Sequence, residues 1–182
     1  MINLAERNSL PHTIMNKGRE FEVYTDFRVW MKFEISLTKM RKDDLLPVEY
    51  LFPGDMPRFC DINSLLEFSR PQNPLPRSMF GKSDVIVLDY ELDADLIYSA
   101  FLGQYGIDLV EIEHLHWHKF LALLSGVNDN TRLREVMGYR CYEKSTEKEE
   151  VWREKLRRAW EIDRMSAEER EELDEFSNLF TG

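Results

Sequence analysis

Apolar residues recur along this chain mostly at helical spacing. Phe27, Trp30 and Met31, with Ile35 one turn on, follow an N-cap offered by Thr25 or Asp26, and predict a helix from about Asp26 to Met40 with one face in the core. Before it, residues 1 to 19 read as a weakly ordered lead-in, Asn16-Lys17-Gly18 as a turn, and Phe21 to Tyr24 as a short strand. Leu45 to Phe52 reads as a short helix with Pro47 in its first turn. Pro57 suits the first position of the next helix, whose face takes Phe59, Ile62, Leu65 and Leu66. Residues 70 to 84 carry Pro71, Pro74, Pro76 and Gly81 and are expected to form an exposed loop, a length that goes with function or mobility.

The pattern sharpens downstream. Acids from Asp89 to Asp93 suit a helix N-terminus, and Leu92, Leu96, Ile97, Ala100 and Phe101 follow on one side. Gly106 is placed to end that helix in the left-handed conformation. Asp108 with Glu111 matches a capping box for a helix running to about Ser125, with Trp117, Phe120, Leu121 and Leu124 in its stripe. Asp129 or Asn130 caps a shorter helix through Leu133, Val136 and Met137, ended by Gly138. Thr146-x-x-Glu149 and Ser166-x-x-Glu169 open two more amphipathic helices, one with Trp152, Leu156 and Ala159 in stripe and Trp160 beside them, the other with Leu173, Phe176 and Phe180. The expected class is all-α: five to seven helices with at most a short N-terminal strand or hairpin, residues 1–142 forming the domain and 143–182 a charged amphipathic helical extension.

Charge narrows the function classes. The chain holds 34 acids against 24 bases, a net of -10, which opposes a sequence-independent nucleic-acid or anionic membrane binder. No apolar run approaches the roughly 20 residues of a membrane span, and no signal peptide is expected from the first residues. Two distant cysteines, Cys60 and Cys141, allow one disulfide but no framework, and reduced cytosolic thiols are the default.

Candidate chemistry is sparse. On an unbroken helix His114 and His118 would share a face at a zinc spacing, but Leu115 occupies the position where a zincin places its glutamate, and His116 points away. The competing expectation is that His116 and His118 flank Trp117 on a packed helix and hydrogen-bond across it. Asp89, Glu91, Asp93 and Asp95 alternate as in a calcium loop, yet Ala94 and Ala100 stand where that loop needs glycine and glutamate. No nucleophile elbow and no phosphate-cradling glycine motif occurs, so no catalytic, cofactor or metal residue is assigned and no enzyme is expected. Trp152, Trp160, Phe176 and Phe180, large apolar groups in a very charged segment, are the candidate partner-binding residues, the competing role being to anchor their helices to the core. At the start of the first helix, Asp26 is expected to cap, and Arg28 is open to pairing with Asp93 or Asp95.

Four runs in order carry a resemblance: Thr25 to Glu34; Asp93 to Phe101 with Gln104 to Leu109; His116-Trp117 with Lys119-Phe120 and Leu123-Leu124; and Met137-Gly138-Tyr139-Arg140. Over about residues 10 to 142 the chain is similar to the gene product fifteen family of phages and prophages of Gram-positive bacteria, with the helices after Tyr142 resembling a variable tail. The resemblance implies a tail-assembly chaperone, not an enzyme and without cofactor, that keeps the tape-measure protein soluble in the host cytoplasm while the tail tube assembles around it. The tail-tube protein, a second chaperone subunit and further copies of the chain are implied partners. The alternative is a structural tail or connector protein retained in the virion.

Overall fold

The computed structural model describes residues 5–6, 10–41, 44–70, 85–142 and 151–162. Across them the chain is all-α except for one antiparallel hairpin, β1 (Thr13–Asn16) with β2 (Arg19–Glu22). Six helices follow among the described residues: α1 (Phe27–Lys39), α2 (Ile62–Ser69), α3 (Ala94–Tyr105), α4 (Trp117–Ser125), α5 (Arg132–Arg140) and α6 (Val151–Trp160). The expected loop at 70 to 84 lies, past Arg70, outside the described residues, as does the helix expected from Ser166.

The hairpin corrects the expected lead-in. Lys17 and Gly18 both take positive φ, 49° and 79°, as a tight two-residue hairpin turn requires, and Ile14 pairs with Phe21 across it. The turn signal at 16–18 therefore joins two strands, with Ile14 and Asn16 turned inward. Asn16 then sets where α2 begins. Its amide donates to the Phe59 carbonyl at 3.0 Å and its side-chain oxygen accepts from Asp61 N at 2.9 Å. That clamp ties residues 59–61 to the hairpin, with Asp61 extended, so α2 starts at Ile62 behind an Asp61 cap and not at Pro57, and Phe59 is left 73% exposed.

Three further boundaries differ from the sequence pattern. Between Leu45 and Phe52 only Glu49–Leu51 turns, as a 3-10 helix; Leu51 is buried while Leu45 stands in solvent, so no stripe sustains a helix. Leu92 falls in the turn before α3 and is exposed. α5 begins after Thr131, whose carbonyl accepts from Glu135 N, and runs past Gly138 to Arg140. Gly106 behaves as expected: φ is +66° and its N–H closes on the Leu102 carbonyl at 3.1 Å.

The chain divides into two compact units, Met1–Ser83 with Leu88–Glu135 and Asp84–Val87 with Val136–Gly182; the division falls within α5. The first unit is built on aromatic rings. Phe120 of α4 stacks at 5.1 Å on Phe27 of α1, at 5.1 Å on Phe101 of α3 and at 5.6 Å on Trp117. Trp30 stacks on Phe68 of α2 at 4.3 Å. Phe27, Trp30, Phe101 and Trp117 are all buried; in α1 the stripe continues to Phe33 at 0% exposure, whereas Met31 and Ile35 are only partly covered. Each such ring removes on the order of 150–250 Å² from water, which is where most of the helix packing energy resides.

Candidate partner-binding surface

The histidine run is spent on architecture. α4 starts at Trp117 and not at Asp108, because residues 115–117 pair with 25–27: Phe27 N donates to Leu115 O at 2.8 Å and Trp117 N to Thr25 O at 2.7 Å. His114 thus precedes the helix, beside the Thr25 hydroxyl at 3.1 Å, and shares no helical face with His118. His116 Nδ1 accepts from His118 N at 3.1 Å, capping α4, and its Nε2–H donates to the Pro11 carbonyl at 2.9 Å. Burial holds the His116 imidazole neutral, at a pKa of about 4, the positive charges on its neighbours adding to that against the Pro11 bond. Trp117 Nε1 donates to Ser69 O at 2.7 Å and His118 Nε2–H to Phe68 O at 2.7 Å. These two side chains close the carbonyl end of α2, the groups a helix leaves without partners.

Arg28 and the acids are equally committed. Arg28 does not reach Asp93 or Asp95; its guanidinium donates to the carbonyls of Leu109 at 3.0 Å and Ile112 at 2.7 Å, and pairs with Asp26 at 3.3 Å. Asp89 accepts from Glu91 N and Leu92 N, and Asp93 accepts from Asp89 N at 2.9 Å, so this cluster caps its own turn. Asp108 accepts from Val110 N and Glu111 N, and those bonds hold its carboxyl below the usual range. Among the described residues no three His, Cys, Asp or Glu side chains converge as a metal set. The Cys60 thiol is pushed up by burial and by the Asp61 charge, away from nucleophile chemistry.

What the second unit displays is different in kind. α6 reads VWREKLRRAW and buries none of its residues; Trp152 is 54% and Val151 59% exposed. Its helicity is supported on one side by Glu154, which accepts from Arg157 at 3.2 Å and Arg158 at 3.0 Å, while Arg157 also reaches Glu161 at 3.3 Å. Those arginines hold the Glu154 carboxyl below its ordinary pKa. The far end is anchored by Arg140, a buried residue whose role has no local sequence signature: its Nε donates to Trp160 O at 2.8 Å and its Nη1 to Val87 O at 3.1 Å. Of the four candidate partner-binding residues, Trp152 is open, Trp160 is half-buried beside that anchor, and Phe176 and Phe180 lie outside the described residues.

No helix among the described residues is long and apolar enough to cross a membrane. Comparison with curated proteins and with solved structures finds no match. A family model does match, over residues 62–165. The match leaves out the Thr25–Glu34 run but continues past Tyr142 through α6, so the tryptophan-bearing helix lies inside the shared segment instead of beyond it as a variable tail. With α2 to α6 all inside a match that spans more than half of the chain, it belongs to the family described as Bacteriophage Gp15 protein.

Proposed function

We propose that this protein is a non-enzymatic phage tail-assembly chaperone that binds the tape-measure protein in the host cytoplasm and keeps it soluble until the tail tube forms. The observation that carries this reading is α6, a helix with no buried residue that holds Trp152 half in solvent. An exposed tryptophan on an anchored helix suits capture of another amphipathic helix, and a tape measure is a long array of such helices. The histidine and acid runs that looked like candidate chemistry are compatible with the same reading, because His116, His118 and Asp89 hydrogen-bond backbone groups at helix ends and turns. Weak binding repeated over many copies gives avidity and still lets tube subunits displace the chaperone. The tail-tube protein, a second chaperone subunit and other copies of the chain are further partners under this reading.

Co-expression with the tape-measure protein encoded beside it tests the proposal. The expected result is a soluble complex that co-purifies. Unchanged tape-measure solubility with no complex overturns it. Stoichiometric peptides of this chain in purified particles would instead establish a structural tail or connector component.

A further inference from the structure

The rim of the α6 stripe states what kind of helix fits it. At about 100° per residue, Trp152, Leu156, Ala159 and Trp160 share one side of α6. Lys155 borders that side on one edge and Arg153 on the other, and both are exposed. Glu154 and Glu161 lie about 200° and 180° round from Trp152, on the opposite side, where they pair with Arg157 and Arg158. α6 holds four bases against one acid in a chain whose net charge is -10. The acidic character of the protein therefore inverts at this helix, and of its four bases Arg153 and Lys155 border the apolar stripe while Arg157 and Arg158 are paired behind it.

We infer that this face docks an amphipathic helix of another polypeptide whose apolar stripe is bordered on both edges by Asp or Glu. This rests on the reading of α6 as a partner-binding face and adds the partner's charge pattern. Trp152 supplies the apolar anchor, and Arg153, which lies over its ring at 5.4 Å, and Lys155 select the rim. A helix with a basic rim meets like charge on both edges and is rejected. An anionic membrane matches the rim but is opposed by the charge of the whole chain.

The test uses the full chain and two synthetic helical peptides with one shared apolar stripe, one rimmed with Glu and one with Lys, read by fluorescence anisotropy. The Glu-rimmed peptide is expected to bind at least about tenfold tighter, and to weaken as salt rises from about 0.05 M to about 0.5 M. The exposed pair Arg153→Glu and Lys155→Glu should reverse the preference, with far-UV circular dichroism unchanged. Equal binding of both peptides, or binding of neither, overturns the inference. So does tighter binding to phosphatidylglycerol vesicles than to the Glu-rimmed peptide. If the intact chain binds neither peptide but a chain with Glu168, Glu169, Glu171 and Glu172 changed to Gln does, the occupant is the protein's own acidic segment. A dimer lost on the double charge reversal assigns the face to a second copy, again against an external partner. The charge-reversed protein also separates the two proposals: tape-measure recovery that survives it leaves the chaperone reading standing and this one fallen. Absent recovery by the unaltered protein does the reverse when the peptide preference holds.

Discussion

Asp26 and His116 bridge each other across an antiparallel pair, and each caps the helix that follows it. Asp26 Oδ1 accepts from Arg28 N at 3.0 Å at the start of α1, and His116 Nδ1 accepts from His118 N at 3.1 Å at the start of α4. The backbone bonds on either side, Phe27 to Leu115 and Trp117 to Thr25, fix the two helix starts against one another. The stacking of Phe27 on Phe120, one ring from each helix, follows from that register. Residues distant in sequence thus share one polar joint, and the aromatic core is assembled from it.

Asp26 serves the joint three ways: it caps α1, accepts from Leu115 N at 3.2 Å and pairs with Arg28. Asp26→Ala removes a cap, worth about 1 kcal/mol, and leaves a partly buried N–H unpaired, so a loss of about 2–4 kcal/mol is expected. Asp26→Asn keeps the capping oxygen but turns a donor toward Leu115 N, and should cost about half as much. Urea unfolding midpoints check the order; equal costs would show that the cap contributes nothing.

His116 makes the joint sensitive to acid. Its Nε2 must carry the proton to reach the Pro11 carbonyl and its Nδ1 must be bare to accept from His118 N, so the imidazolium form breaks the cap. Burial lowers its pKa from 6.5 to about 4, and burial lowers His118 as well. A lowered histidine pKa means that the unfolded chain binds the proton first. The stability from His116 is therefore complete above pH 6.5 and is lost as pH falls through about 4, a loss on the order of 2–3 kcal/mol. His116→Asn retains an acceptor for the cap and removes the titrating ring. Its stability should fall less steeply between those pH values than that of the unaltered protein, measured by urea unfolding at a series of pH values; identical slopes would remove His116 as the cause.

Much of this was legible in the chain. The helix class, the Asp26 cap, the left-handed Gly106 and the buried Phe27, Trp30, Phe101 and Trp117 all follow from local spacing and turn chemistry. The misplaced starts of α2 and α4 share one cause. Each is delayed by a contact distant in sequence, Asn16 against 59–61 and Thr25–Phe27 against 115–117, and local periodicity carries no trace of such contacts. Arg140 was visible as part of a motif, but a guanidinium that joins two distant carbonyls has no local signature. For α6 the stripe was readable, whereas the placing of Arg153 and Lys155 beside it and of Glu154 and Glu161 behind it, paired with Arg157 and Arg158, required the helix boundaries.

Two glycines three residues apart should respond in opposite directions. Gly103 lies inside α3 with nothing within 4 Å of an added Cβ, so Gly103→Ala is expected to stabilise by about 0.5–1 kcal/mol. Gly106 has equal space but a φ of +66°, and Gly106→Ala should destabilise by about 1 kcal/mol. Thermal melts of the two variants distinguish backbone conformation from packing, since the surroundings are open in both.

Arg140 holds Trp160 O and Val87 O with two nitrogens of one planar group. Arg140→Lys offers a single ammonium to two carbonyls whose directions the guanidinium matched, and a loss of about 1–3 kcal/mol is expected. Hydrogen exchange should locate the effect: amides of α6 lose protection while those of α1 and α4 do not. Uniform loss across all helices would mean that Arg140 acts on the whole fold and not on the α6 anchor.

The tryptophans divide into two kinds by burial. Trp30 and Trp117 are 0% and 1% exposed, and each donates its indole N–H to a backbone carbonyl, Tyr24 O at 2.6 Å and Ser69 O at 2.7 Å. Truncation of either to alanine should cost about 3–5 kcal/mol through lost volume, with the orphaned carbonyl adding to it. Trp152 is 54% exposed, and alanine is the better helix former, so Trp152→Ala should move stability by no more than about 0.5 kcal/mol. If α6 is the binding face, that same substitution should lower recovery of the bound helix by about tenfold or more, the loss typical of an aromatic anchor. A large fall in the unfolding midpoint would instead make Trp152 a packing residue. Unchanged stability with unchanged binding would place the partner elsewhere on the molecule. Unfolding and binding measured on one preparation therefore decide between the two roles that a tryptophan in so charged a helix can have.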